Sequence, residues 1–166
     1  ALTDAAAHPW AFRAILVAGG HYRPDRSSSV PGGTGERAST FALVPSVPVR
    51  GGFAGFASGS PYVQDPGLPV TVLSGDLAGD DAGNWTNRTD NAFHVVTVGG
   101  DGVRSEASFE LSAVTISGGN AVTQAGLPEA QTNGAAVRLV SGALRMSDCV
   151  LSDNRANHGG AVKIEA

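Results

Sequence analysis

Between residues 76 and 90 the sequence gathers four aspartates, Asp76, Asp80, Asp81 and Asp90, with Asn84 and Asn87 among them. Their side chains offer hard oxygen atoms and no soft ligand. That donor set suits Ca²⁺, which takes about six to eight oxygens in flexible geometry. The spacing is not that of an EF-hand, which alternates Asp or Asn before a Gly and a distal Glu. It is not that of the calcium-binding nonapeptide either, because Gly99-Gly100-Asp101-Gly102 lacks the later aspartate. Two readings stand. Asp76, Asp80, Asp81 and Asp90 hold a calcium ion, or they are turn residues of a solvated loop, where Asp, Asn and Gly are favoured.

Other reactive residue types are scattered. Hydrolysis of a glycosidic bond needs two facing carboxylates. Asp80 and Asp81 are adjacent, but in a loop, and no basic partner motif accompanies them. His158-Gly159 is only a fragment of a hydrolase motif. His8, His21, His94 and His158 are isolated from one another, so structural or surface roles are expected. The single cysteine, Cys149, allows no intrachain disulfide and no Cys-based zinc site, and a buried apolar role is expected for it. Asn84-Trp85-Thr86 and Asn87-Arg88-Thr89 fit the glycosylation sequon and are read as chance matches. Phe53, Phe56, Tyr62 and Trp85 either line a sugar-binding surface or anchor loops.

The elements that must carry these residues are strands. Among 166 residues there are 23 Gly and 9 Pro, only 16% are charged, and Ala and Val make up much of the apolar content. Short strands with tight corners suit this composition better than helices. The net charge is −4 and the 11 Lys and Arg form no run, which argues against a nucleic-acid surface. No apolar stretch is long enough for a transmembrane helix, and no signal peptide is visible. The start, from Ala1 to Ala7, reads as part of a helix, and Ala161 to Glu165 reads as a strand, so both ends read as interrupted.

Internal repetition decides the fold class. Gly134-Ala135-Ala136-Val137-Arg138-Leu139 recurs as Gly159-Gly160-Ala161-Val162-Lys163-Ile164, an offset of 25 residues from 134 to 159. Apolar positions 109, 111, 114 and 116 recur at 144, 146, 149 and 151, an offset of 35 from 109 to 144. The polar stretch 122–132, read as a corner insertion, accounts for the difference. One such coil cannot bury its apolar face alone, but stacked coils can. Val137 is then expected to stack on Val162, Leu139 on Ile164, and Cys149 on Val114. Asn120 and Asn154 either form a corner ladder or are plain turn residues. Earlier strands are read at 13–18, 40–44, 48–50, 70–74 and 92–98, separated by polar loops at 23–39, 57–68 and 75–91.

The phrases Ile15-Leu16-Val17-Ala18-Gly19-Gly20-His21-Tyr22, Gly51-Gly52-Phe53-Ala54-Gly55, Thr71-Val72-Leu73-Ser74-Gly75 and Val114-Thr115-Ile116-Ser117-Gly118-Gly119-Asn120 run in order along nearly the whole chain. In these it resembles bacterial surface proteins with right-handed parallel β-helix, pectin-lyase-like repeats. Asn154-Arg155-Ala156-Asn157-His158-Gly159-Gly160-Ala161-Val162 is similar to the repeat of chlamydial-type polymorphic outer membrane proteins. The resemblance implies an extracellular or cell-surface setting. Lyases of the fold use an Arg or Lys base with carboxylate-bound calcium.

The expectation is therefore an all-β chain, a right-handed parallel β-helix solenoid of about five or six coils with corner loop insertions. It forms one domain over 1–166: a partial N-terminal helical cap at 1–12, irregular coils at 13–121 and regular coils at 134–166. The expected function is structural and non-enzymatic, with copies stacking end to end into a filament or surface layer. A carbohydrate- or surface-binding adhesin module of a longer secreted protein is the first alternative, with cell-surface carbohydrate as its partner, and a polysaccharide lyase or hydrolase the second. The cofactor expected is Ca²⁺.

Overall fold

The computed structural model describes residues 1–64, 70–100, 102–122, 128 and 131–165. Asp101, part of the loop at 57–68, and most of the insertion expected at 122–132 lie outside the described residues. A short helix, Leu2–Ala7 (α1), leads through a 3-10 turn, Pro9–Ala11, into strands. These are Ile15–Ala18 (β1), Gly20–Tyr22 (β2), Phe41–Ala42 (β3), Val49–Phe53 (β4), Thr71–Ser74 (β5), Val96–Val98 (β6) and Ser108–Ser112 (β7). Thr115–Ser117 (β8), Asn120–Ala121 (β9), Val137–Leu139 (β10), Ala143–Ser147 (β11), Val150–Ser152 (β12), Arg155–Ala156 (β13) and Val162–Ile164 (β14) follow.

Every pairing between these strands is parallel. Three sheets have four strands each, in the orders β1-β4-β7-β11, β2-β5-β8-β12 and β3-β6-β10-β14, and β9 pairs β13. The chain thus visits the three sheets in rotation and returns one strand further along each time. This all-β arrangement is compatible with a parallel β-helix. Four passes are described, where about five or six were expected.

The register confirms the repeat arithmetic. Val137 pairs with Val162 and Leu139 with Ile164. Phe109 pairs with Leu144, Leu111 with Met146, and Ile116 with Leu151. Each pairing sets one side chain about 4.8 Å above the equivalent one. Inward columns result: Ile15, Val49, Leu111 and Met146 on one sheet, and Tyr22, Leu73, Ile116 and Leu151 on the next. Phe41, Val96, Val137 and Val162 form the third column. Leu111, Ile116, Val96 and Val137, in the middle passes, are fully buried and belong to one apolar core.

Two strands are shorter than the apolar runs that encode them, while β4 extends beyond the 48–50 read for it. Of 40–44 only Phe41–Ala42 pairs, and of 92–98 only Val96–Val98. The remaining apolar residues, Leu43, Val44, Ala92, Phe93 and Val95, are buried at the bends. Corners use the left-handed backbone: Ala113 (φ 52°) and Asp148 (φ 53°) occupy the same bend in successive passes, next to the pair Ser112 and Ser147.

The asparagine ladder is corrected by one residue. Asn120 pairs with Arg155, so Asn154 faces Gly119. Asn154 still bridges passes, because its Oδ1 accepts from Gly119 N at 2.9 Å and its Nδ2 donates to Ile116 O at 2.9 Å. A side chain at 119 would run into the Ala135 carbonyl, which explains the glycine there.

Candidate functional site

The acidic loop leaves and rejoins the stack at one corner, between β5 and β6. Its base is closed by Ala92 N donating to Gly75 O at 2.8 Å, and Gly75 N donates to Ser117 O on the next pass. Asp76 organises the first turn. Its Oδ1 accepts from Gly79 N at 2.6 Å and Asp80 N at 3.2 Å, and its Oδ2 from Asp81 N at 3.3 Å. Asp90 reaches back from the far end, its Oδ2 accepting from Ala78 N at 2.9 Å. These bonds bring one carboxylate oxygen each of Asp76, Asp80 and Asp90 within 4.8 Å of one another. Asp80 is exposed and the other two are half-buried.

Asp81 is not part of this trio. Its Oδ2 pairs with Arg88 Nη1 at 3.2 Å and accepts from Asn91 Nδ2 at 3.1 Å. Asn91 is fully buried and also donates to Gly118 O. Arg88 Nη1 donates to Asp153 O at 3.0 Å, and Asn120 Nδ2 donates to Arg88 O at 2.6 Å. The Asp81–Arg88–Asn91 knot therefore fastens the loop to bends of the third and fourth passes. Burial pushes the Asp81 carboxyl above its ordinary range, helped by the nearby Asp76 and Asp90 charges, against the Asn91 hydrogen bond and the Arg88 charge.

Asn84 and Asn87 serve the loop's shape. Both adopt the left-handed backbone, φ 58° and 59°, and Asn87 Nδ2 donates to Asp80 O at 3.1 Å. Trp85 lies between them, half exposed, with the Arg88 guanidinium 4.5 Å and the Arg155 guanidinium 5.8 Å from its ring centre. Two further arginines hold the loop from the side of the first pass. Arg23 Nε donates to Asp76 O, and its guanidinium lies where a side chain at Gly79 would fall. Arg37 donates to Asn91 O at 2.7 Å and Asn120 O at 3.0 Å while covering the Phe93 ring at 4.2 Å. Spacing could not single out Arg23 or Arg37, because the first pass lies more than fifty residues from the loop in sequence.

The remaining candidates are spread over the molecule. His94 is buried, its Nδ1 3.1 Å from Gly134 O. Cys149 is half-buried against the core, as its register with Val114 implies, and burial raises its thiol pKa. Phe53 is half-buried, whereas Phe56 and Tyr62 are 85% and 73% exposed. No helix among the described residues is long and apolar enough to cross a membrane. No family model matches the chain, nor does any curated protein or solved structure.

Proposed function

We propose that the chain is a right-handed parallel β-helix with a structural, non-enzymatic role, whose copies associate end to end through the outer face of the fourth pass. The right hand follows from the strong preference of crossovers between parallel strands. The observation that supports the role is the parallel stack itself, in which each pass pairs in register with the one before and offers the same pairing to a further strand, of this chain or of a second copy. Val137 and Leu139 of the third pass are 0% and 9% exposed, while their fourth-pass partners Val162 and Ile164 are 38% and 64% exposed. Those two side chains point along the core column, and beside them the outer edges of β11, β12 and β14 have no paired strand among the described residues. Such an edge is a template for further pairing. Contacts of this kind that do not close give filaments.

The reading includes Ca²⁺ as a brace of the acidic loop, held by Asp76, Asp80 and Asp90, of which Asp76 and Asp90 are oriented by backbone N–H groups. Hard carboxylate oxygens in a loop fit that ion's preference. The resemblance to surface β-helix proteins supports an extracellular or cell-surface setting. A carbohydrate-binding adhesin module is the second reading, favoured by the exposure of Phe56, Tyr62 and Trp85.

Negative-stain electron microscopy of the purified chain, with and without a calcium chelator, tests this. Rods or fibres are expected, shortened or dispersed on chelation. Dispersed single particles under both conditions contradict the assembly, and fibres indifferent to chelation contradict the role given to calcium.

A further inference from the structure

After β4 the chain makes a small excursion with its own architecture. Phe53 bridges Gln64 in antiparallel fashion, and Ala54 N donates to Val63 O at 2.9 Å, so residues 53–64 form a finger. No charged residue occurs between Arg50 and Asp65. At its tip Phe56 is 85% exposed and Tyr62 73% exposed, with Val63 half exposed behind them.

Several of the finger's polar groups bond within it or to its base. Ser58 N donates to Gly55 O, Gly59 N to Phe56 O, and Val63 N to Ser60 O. The Ser58 hydroxyl donates to Gly55 O at 2.8 Å and accepts from Ser60 N at 3.1 Å. Gln64, the one side-chain amide, donates to Gly51 O at 2.8 Å. A sugar needs free planar polar groups beside the stacking ring. Here the amide and one of the two serine hydroxyls are already engaged. A segment that bonds part of its own backbone and displays bare rings at its tip suits the margin of an apolar medium rather than its interior. Aromatic side chains, Tyr above all, favour the boundary between such a medium and water.

We infer that residues 53–64 are a membrane-contacting finger that seats Phe56 and Tyr62 in the apolar margin of an uncharged lipid surface. The absence of charge on the finger, and the chain's net charge of −4, make zwitterionic rather than anionic lipid the partner. Attraction then rests on apolar burial and not on ion pairing.

The test is flotation of the full chain with phosphatidylcholine vesicles, compared with vesicles containing phosphatidylserine. The wild-type chain is expected to float with phosphatidylcholine equally well in about 0.1 M and about 1 M salt, a range that shortens the screening length from about 10 to about 3 Å. The Phe56→Ser/Tyr62→Ser double variant is expected to lose about tenfold or more in partitioning. Both side chains are exposed, so the variant keeps its fold, which circular dichroism checks. Absence of flotation overturns the proposal, as does undiminished flotation of the variant or flotation only on anionic vesicles. Glycan-array binding that requires Phe56 and Tyr62, without vesicle binding, assigns the finger to carbohydrate instead.

Discussion

Asp81 carries the most informative electrostatics in the molecule. It shares one carboxylate oxygen between Arg88 and Asn91 in a site where its side chain is only 15% exposed. Burial dominates and raises its pKa above the unfolded value. The folded state then binds a proton more readily than the unfolded chain. Stability from this group is greatest in acid and declines as pH rises from the ordinary aspartate range through the raised value. Asp81→Asn removes that decline while keeping a hydrogen-bonding group beside Arg88. Chemical denaturation measured across the acid range checks this: the wild type should lose stability with rising pH relative to the variant, and parallel profiles would refute the assignment. Composition pointed to all four aspartates, because hard oxygens cluster visibly in sequence. It could not separate Asp81 from the trio, because Arg88 and Asn91 reach it only once the loop folds back on Gly118 and Asp153.

Strands and bends divide the legibility of the fold. The offset of 25 residues between Val137 and Val162 was readable because no long insertion interrupts the chain between β10 and β14. The earlier passes carry long insertions, so Val49 pairs with Leu111 across sixty-two positions and no fixed period survives. Two strand lengths were over-read for a related reason: apolar residues such as Val44 and Phe93 are buried at bends as well as in strands. Bends also hold strain that can be relieved. Ala113 adopts φ 52°, a conformation that costs a side-chain-bearing residue about 1–2 kcal/mol. Glycine loses about 0.5–1 kcal/mol of that gain to chain entropy. Ala113→Gly should therefore stabilise the protein by about 0.5–1 kcal/mol, a rise in Tm of about 1–4 °C. Ala136→Gly, at a fully buried position just before β10, should lower it. A fall in Tm for Ala113→Gly would show that its methyl contributes packing that outweighs the strain.

For the molecule as a whole, the three sheets share one core, and its two faces along the stack differ. The first pass is partly covered by α1, whose Ala5 is fully buried with Val44 and Val47 and whose Leu2 also touches the main core. The fourth pass instead presents Val162 and Ile164. Apolar burial contributes roughly 25 cal/mol per Å², so covering those side chains while pairing the β11, β12 and β14 edges favours association. The direct measurement is sedimentation velocity of the wild-type chain and Ile164→Lys across a range of concentrations. Ile164 is 64% exposed, so a lysine there disturbs the isolated fold little. The wild type is predicted to form species that grow with concentration, and Ile164→Lys to remain a monomer. A monomeric wild type, or assembly that persists unchanged in Ile164→Lys, would contradict association through the fourth pass.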